Sequence, residues 1–214
     1  MIDIQTTFLF MLCLVIAYLI GDISPAILFG KAYGIDIKKE GSGNAGTTNA
    51  LRVLGKKAAF FTLLIDIGKG AAAVFLGRFF SNYLGGELAL TLPLSCAIAV
   101  FCGHIWPAFF GFRGGKGVAT AFGAITAVLP ALGFSLLGIV LLVVLLTRRV
   151  SAGSVCGAVM APVITYFLLP QALWGISIMA IIVIIKHRSN IRRLVRGEEP
   201  KLSFRKKESG RNEK

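Results

Sequence analysis

Apolar residues in this chain come in long blocks, separated by short polar segments of very unequal charge. The blocks fall at 7–29, 58–80, 88–106, 118–129, 131–147, 152–169 and 172–185. An apolar stretch of about 18 residues or more reads as a membrane-crossing helix. The pattern therefore predicts an all-α integral membrane protein with about seven transmembrane helices, some of them short or broken. Gly21, Asp22 and Pro25 interrupt the first block, so its second half is expected to kink or unwind. Block 118–129 is too short to cross unaided. It reads as a half-helix, a re-entrant segment, or part of a longer helix beginning in the glycine-rich loop before it.

Composition agrees with this reading. Hydrophobic residues make up 56% of the 214, and the mean hydropathy is +0.78. Little chain is left for a soluble domain, so 1–214 is expected to form one membrane domain, with 186–214 as a basic flank and tail. Residues 1–7 contain Asp3 but no Lys or Arg, unlike the basic start of a cleaved signal, so the first block is expected to stay in place as a helix.

Charge adds direction. Of the 23 Lys and Arg residues, 21 fall in segments 31–57, 109–117, 148–149 and 186–214. The alternate turns near 81–87, 130 and 170 hold none. Basic residues collect on cytoplasmic loops, which puts the N-terminus outside and the C-terminus in the cytoplasm. The same rule accounts for the net charge of +13 without a nucleic-acid partner. The tail is also placed to meet anionic headgroups. Cys13, Cys96, Cys102 and Cys156 lie in apolar blocks, with no Cys-x-x-Cys pair and no His at ligand spacing, so neither a metal site nor a disulfide framework is expected.

The candidate chemistry sits in the basic segments. Segment 41–52 carries Gly41, Gly43 and Gly46 with Ser42, Asn44, Thr47, Thr48, Asn49 and Arg52. Glycines allow close backbone approach, and an Arg grips phosphate through paired hydrogen bonds. The dinucleotide fingerprint that the spacing formally matches lacks its strand–turn–helix setting. Segment 103–120 carries His104, Gly114, Gly115, Lys116 and Gly117. It departs from a P-loop, because Gly117 rather than Ser or Thr follows Lys116. Ser151 and Ser154 follow Arg148-Arg149, and His187 and Asn190 stand three apart after the last block. Asp66 and Lys69, also three apart, lie inside an apolar block, where ionisable residues are either functional or paired for structure.

No Asp or Glu occurs between Glu87 and Glu198. Carboxylate-dyad hydrolysis and two-metal chemistry need clustered acids, so both are disfavoured. The expectation is an acid-free site of cations, hydroxyls and amides that binds negative charge and stabilises an oxyanion. A transporter of an organic phosphate or lipid, and a surface module for anionic lipid, are the competing readings.

These segments, G-S-G-N-x-G-x-T-N-x-x-R, G-H-x-x-P-x-F with G-G-K-G-V-A-T, the serine pair and H-x-x-N-I-x-R-L, resemble the bacterial acyl-phosphate:glycerol-3-phosphate acyltransferases over about 21–202. The resemblance implies a seven-helix protein of the bacterial inner membrane with its active site toward the cytoplasm. It implies acyl transfer from acyl phosphate to the sn-1 hydroxyl of glycerol 3-phosphate, giving lysophosphatidic acid and inorganic phosphate, with no cofactor. Carried over by motif, Ser42, Lys116 and His187 would be catalytic. Ser42, Asn44, Thr48, Asn49, Arg52, His104, Gly114, Gly115, Lys116, Ser151, Ser154, His187 and Asn190 would bind substrate. An acyl phosphate is already activated, so direct attack by the glycerol hydroxyl, without an acyl-enzyme, is the expected route.

Overall fold

The computed structural model describes residues 4–84, 86 and 88–202, and among these there are helices and turns but no strand. Each of the seven apolar blocks forms helix. The first is broken as expected. Helix α1 (Ile4–Asp22) stops, Ser24 is extended at φ −110 and ψ 91, and α2 (Pro25–Ala32) begins on Pro25. Proline has no N–H to donate and its fixed φ suits a first turn, so it ends one helix and starts the next.

A short helix, α3 (Thr47–Val53), lies inside the first basic segment. Then come α4 (Lys56–Tyr83), α5 (Thr91–Ile105), α6 (Val118–Val128), α7 (Pro130–Thr147), α8 (Val150–Leu168), α9 (Leu173–Lys186) and α10 (Arg188–Val195).

Among the described residues, five helical stretches are long and apolar enough to cross a membrane, and a sixth is added if Pro170–Lys186 and Arg188–Val195, bent by 60°, count as one broken span. Helix α6 has 11 residues, about 16 Å against about 30 Å of hydrocarbon. It is a separate helix, not the end of a longer one. Gly117 turns the chain with φ 83 just before it, and Leu129 is extended just after it, ahead of Pro130.

Small residues set how the helices approach. Helix α1 meets α5 where Gly21 and Gly103 face each other, and a Cβ on either would strike the other helix's backbone. Gly70 of α4 and Gly123 of α6 make the same kind of contact. In a bilayer, where helix association gains little from the hydrophobic effect, such close backbone approach is the main source of packing energy. Helices α5 to α9 surround an apolar centre built from Phe101, Ile125, Leu132, Leu136, Ile176, Met179 and Val183. The outward faces are apolar too, with Leu142, Leu145 and Leu146 of α7 and Phe167 of α8 exposed, as lipid-facing helices require. The chain then folds back after α9, so that 196–202 crosses the α7–α8 turn, with Leu202 N–H donating to Arg148 O at 2.7 Å. Arg205, Lys206, Lys207, Arg211 and Lys214 of the basic tail lie outside the described residues.

Candidate active site

The first glycine segment is shaped from inside by Asn49. Its side chain is buried, its Oδ1 accepts from Ser42 N–H at 2.9 Å, and its Nδ2 donates to Ile37 O at 3.2 Å and Glu40 O at 3.0 Å. Both amide hydrogens are spent within the loop, so Asn49 organises the segment that presents Ser42, Thr47, Thr48 and Arg52. Thr47 Oγ1 is buried without a hydrogen-bond partner, which leaves one donor for a ligand.

The second glycine segment works differently from expectation. Gly115 N–H donates to His104 O at 3.1 Å and Gly114 N–H to Ile105 O at 3.2 Å, so both amides satisfy the last carbonyls of α5. A Cβ on Gly114 would strike the His104 carbonyl, and one on Gly115 would strike the His104 ring at Nε2. These two glycines allow the loop to lie flat on His104 and deliver Lys116. They do not themselves line the cavity described below.

Lys116, partly buried, donates from Nζ to Asn190 Oδ1. Burial pulls its pKa down to about 8, helped by Arg193 and Arg52 and opposed by Glu199. It remains mostly charged at neutral pH.

His187 occupies the bend between α9 and α10 and is 3% exposed. Its Nδ1 lies 2.8 Å from Val183 O. A carbonyl only accepts, so Nδ1 carries the proton and Nε2 carries the lone pair. Burial, then the Lys116 charge, lowers its pKa to about 4, so the ring is neutral at pH 7.

The acid-free site expected from sequence is corrected at this point. Glu199, arriving from the segment that follows α10, is buried with its carboxylate among the site donors. It accepts from Ser151 Oγ at 2.6 Å, Asn190 Nδ2 at 2.6 Å and Arg193 Nε at 2.7 Å. Burial works to raise its pKa, but these hydrogen bonds and the Arg193 charge outweigh it and hold the carboxyl below its usual range. A second acid, Asp66, reaches the cavity wall from α4, where its Oδ1 lies 2.8 Å from Lys69 Nζ and 3.2 Å from His104 Nδ1. The intramembrane pair is thus a trio. Ser154 Oγ donates to Val150 O at 3.0 Å within its own helix.

Most of these side chains, though neither Lys69 nor the two glycines, line one cavity of about 710 Å³. Its wall includes Ser42, Asn44, Thr48, Asn49, Arg52, His104, Lys116, Ser151, Ser154, His187 and Asn190, together with Arg193 and Glu199. Along α8 the lining runs from Ser151 and Ser154 to Ala158 and Ala161, and along α9 from His187 back to Val183, Met179 and Ile176. At 1.5 Å per residue, this lining runs about 15 Å along each helix, of which the apolar bore makes up about 10 Å. Leu63 of α4 and Leu141 of α7 also line it while being 40% and 50% exposed, so the bore opens on the lipid-facing surface. Among the described residues no cluster of His, Cys, Asp or Glu is suited to a metal ion.

A family model described as glycerol-3-phosphate acyltransferase matches residues 11–197. A Thermoanaerobacter sp. (strain X514) protein named glycerol-3-phosphate acyltransferase is 45% identical over 196 residues, covering 88% of this chain and 93% of that one. One of the same name from Clostridioides difficile (strain 630) is 42% identical over 203 residues, covering 93% and 98%. Among solved structures, PlsY (YgiH), an integral membrane glycerol 3-phosphate acyltransferase, in its glycerol 3-phosphate form superposes with a TM-score of 0.83 at 31% identity, covering 91% of this chain and 96% of that one. Its lysophosphatidic acid form gives a TM-score of 0.80. The coverage runs nearly end to end, so this chain belongs to the glycerol-3-phosphate acyltransferase family.

Proposed function

We propose that the chain transfers an acyl group from acyl phosphate to the sn-1 hydroxyl of glycerol 3-phosphate, releasing lysophosphatidic acid and inorganic phosphate. One observation carries the reading: a single cavity joins a cationic, hydroxyl-lined end to an apolar bore that opens toward lipid. Two phosphorylated molecules, one with an acyl tail, fit that division.

Arg52, Lys116 and Arg193 offset the phosphate charges, and Ser42, Thr47 and Thr48 supply neutral donors. The glycerol oxygen bonds to the acyl carbon, the bond from that carbon to the phosphate-bearing oxygen breaks, and the hydroxyl proton ends on the departing phosphate. His187 accepts the hydroxyl's hydrogen bond at Nε2 and so aims it. With a pKa of about 4 it is a weaker base than a phosphate monoester, whose second pKa is about 6, so a phosphate oxygen is the better proton acceptor. A serine nucleophile would need a base beside it. Ser151 instead faces a carboxylate of lowered pKa and Ser154 a backbone carbonyl, which supports direct attack.

Orientation is part of the proposal. The N-terminus lies outside and the cavity's polar end faces the cytoplasm of a bacterial inner membrane, with 1–214 as one membrane domain, as the charge distribution favours. A transporter site would sit near the bilayer centre, whereas Ser42, Arg52, Lys116, His187, Asn190 and Arg193 come from loops and short helices at helix ends.

The test is purified protein given acyl phosphate, with and without glycerol 3-phosphate. Phosphate release that needs glycerol 3-phosphate supports the reading. Release without it, a trapped acyl-serine, or equal turnover with acyl-CoA or acyl carrier protein would overturn it in distinguishable ways.

A further inference from the structure

The chain contains two histidines, and both line the cavity. Their ring nitrogens are held by opposite kinds of partner. His187 Nδ1 faces a carbonyl and must carry the proton, as derived above. His104 Nδ1 faces an ammonium. Lys69 Nζ lies 3.0 Å from it in hydrogen-bonding alignment, and the same Nζ donates to Ile23 O at 2.7 Å. Asp66 Oδ1 is close to both the ammonium and the ring, yet it makes no aligned hydrogen bond with either, so it acts there as a counter-charge.

A lysine ammonium donates and cannot accept. A proton on His104 Nδ1 would set an N–H 3.0 Å from the buried Lys69 ammonium, donor against donor, and leave that ammonium the Ile23 carbonyl as its one aligned acceptor, at a cost that rises where water is excluded. The remaining nitrogen, Nε2, lies against Gly115, where an added Cβ would strike it, and that Cβ position is also close to Ala45 O of the first glycine segment. Nε2 therefore sits where the two segments meet.

We propose that Lys69, with Asp66 and the Ile23 carbonyl, is a positioning residue that fixes His104 as its Nε2–H tautomer, so that this nitrogen donates to a phosphoryl oxygen of bound substrate. The site then has one donor histidine and one acceptor histidine: His104 steadies developing negative charge while His187 receives the attacking hydroxyl. This rests on the reading of the cavity as a phosphate site, but the tautomer can be measured without any substrate.

With only two histidines, nitrogen NMR of tag-free protein labelled with ¹⁵N-histidine yields two rings. The expected spectrum shows two neutral imidazoles of opposite tautomer, and Lys69→Met disturbs only the Nε2–H one. Two rings of the same tautomer, or an Nε2–H ring unmoved by Lys69→Met, would overturn the proposal. If Lys69→Met does not fold, Lys69→Arg, which keeps a cationic donor, is expected to preserve the tautomer, and its loss would count against the idea.

The kinetic test is a double-mutant cycle. His104→Gln places an amide N–H near Nε2 that needs no lysine to orient it. Lys69→Met is expected to lower kcat/KM for glycerol 3-phosphate on the order of tenfold to a hundredfold in the parent chain, and by less than about twofold in His104→Gln. Equal losses in both backgrounds would mean that Lys69 supports the fold and not the histidine. Correct tautomers with no kinetic coupling would refute the donor role and leave the proposed transfer intact.

Discussion

Glu199→Gln tests the site at the carboxylate that gathers three of its donors. In the best orientation the glutamine oxygen replaces Oε1 and keeps the bonds from Ser151 and Asn190, while its amide faces Arg193 donor to donor. The Arg193 pair is discounted to about 1 kcal/mol, because the Arg193 side chain is 38% exposed. The other two bonds fall from charge-assisted to neutral, costing about 0.5–1 kcal/mol each. The sum is about 2–3 kcal/mol, or roughly 5–10 °C in Tm for a chain of this size. A second effect is electrostatic. Glu199 supports the Lys116 charge, so its neutralisation should lower the Lys116 pKa further and move the alkaline limb of kcat/KM to lower pH. Thermal unfolding in one lipid mimetic and a pH–rate profile read the two effects separately. A Tm within about 1 °C of the parent chain, together with an unmoved alkaline limb, would refute the reasoning.

Three further outcomes follow from the same geometry. In the parent chain, kcat/KM should fall as pH rises through about 8, because Lys116 then loses the proton that binds phosphate, and a profile flat to pH 10 contradicts this. Ala158→Phe should fill the bore beyond Ser154, cutting turnover of long-chain acyl phosphates at least tenfold while sparing a short-chain donor; equal losses would remove the bore from the acyl-binding account. Asn82→Cys, on the exposed end of α4, should react with an impermeant thiol reagent from outside intact cells and Ser42→Cys should not, whereas the reverse pattern would invert the proposed topology.

Much of the fold was legible because lipid imposes length and polarity on each helix directly. The break at Asp22–Pro25 could be read from a proline with no N–H, and the end of α6 from Pro130, while its start at Gly117 could not. The site was legible as a set of residues and less so as a set of roles. Ser42, Arg52, Lys116, His187 and Asn190 do line one cavity. Asn49 turned out to hold its own loop, and Gly114 and Gly115 to cap α5, because backbone hydrogen bonds leave no signature in residue type. Glu199 was missed since a glutamate in a basic, polar flank looks solvated, and its bond to Ser151 spans 48 residues. The link from Asp66 and Lys69 to His104 was hidden for the same reason: the i,i+3 spacing pairs the first two, and only the packing of α4 beside α5 adds the third.

The central claim is that cations converging on one cavity hold both phosphates while the acyl group is handed over directly. The measurement closest to it is the turnover of acyl phosphate with glycerol 3-phosphate by the full chain in lipid nanodiscs, comparing the parent with Arg52→Gln combined with Lys116→Met. Each lost charge-assisted contact is worth about 1.5–3 kcal/mol, so the account predicts that kcat/KM falls by about 10²–10⁴. Turnover within about threefold of the parent, in a double variant whose melting profile is unchanged, would contradict it.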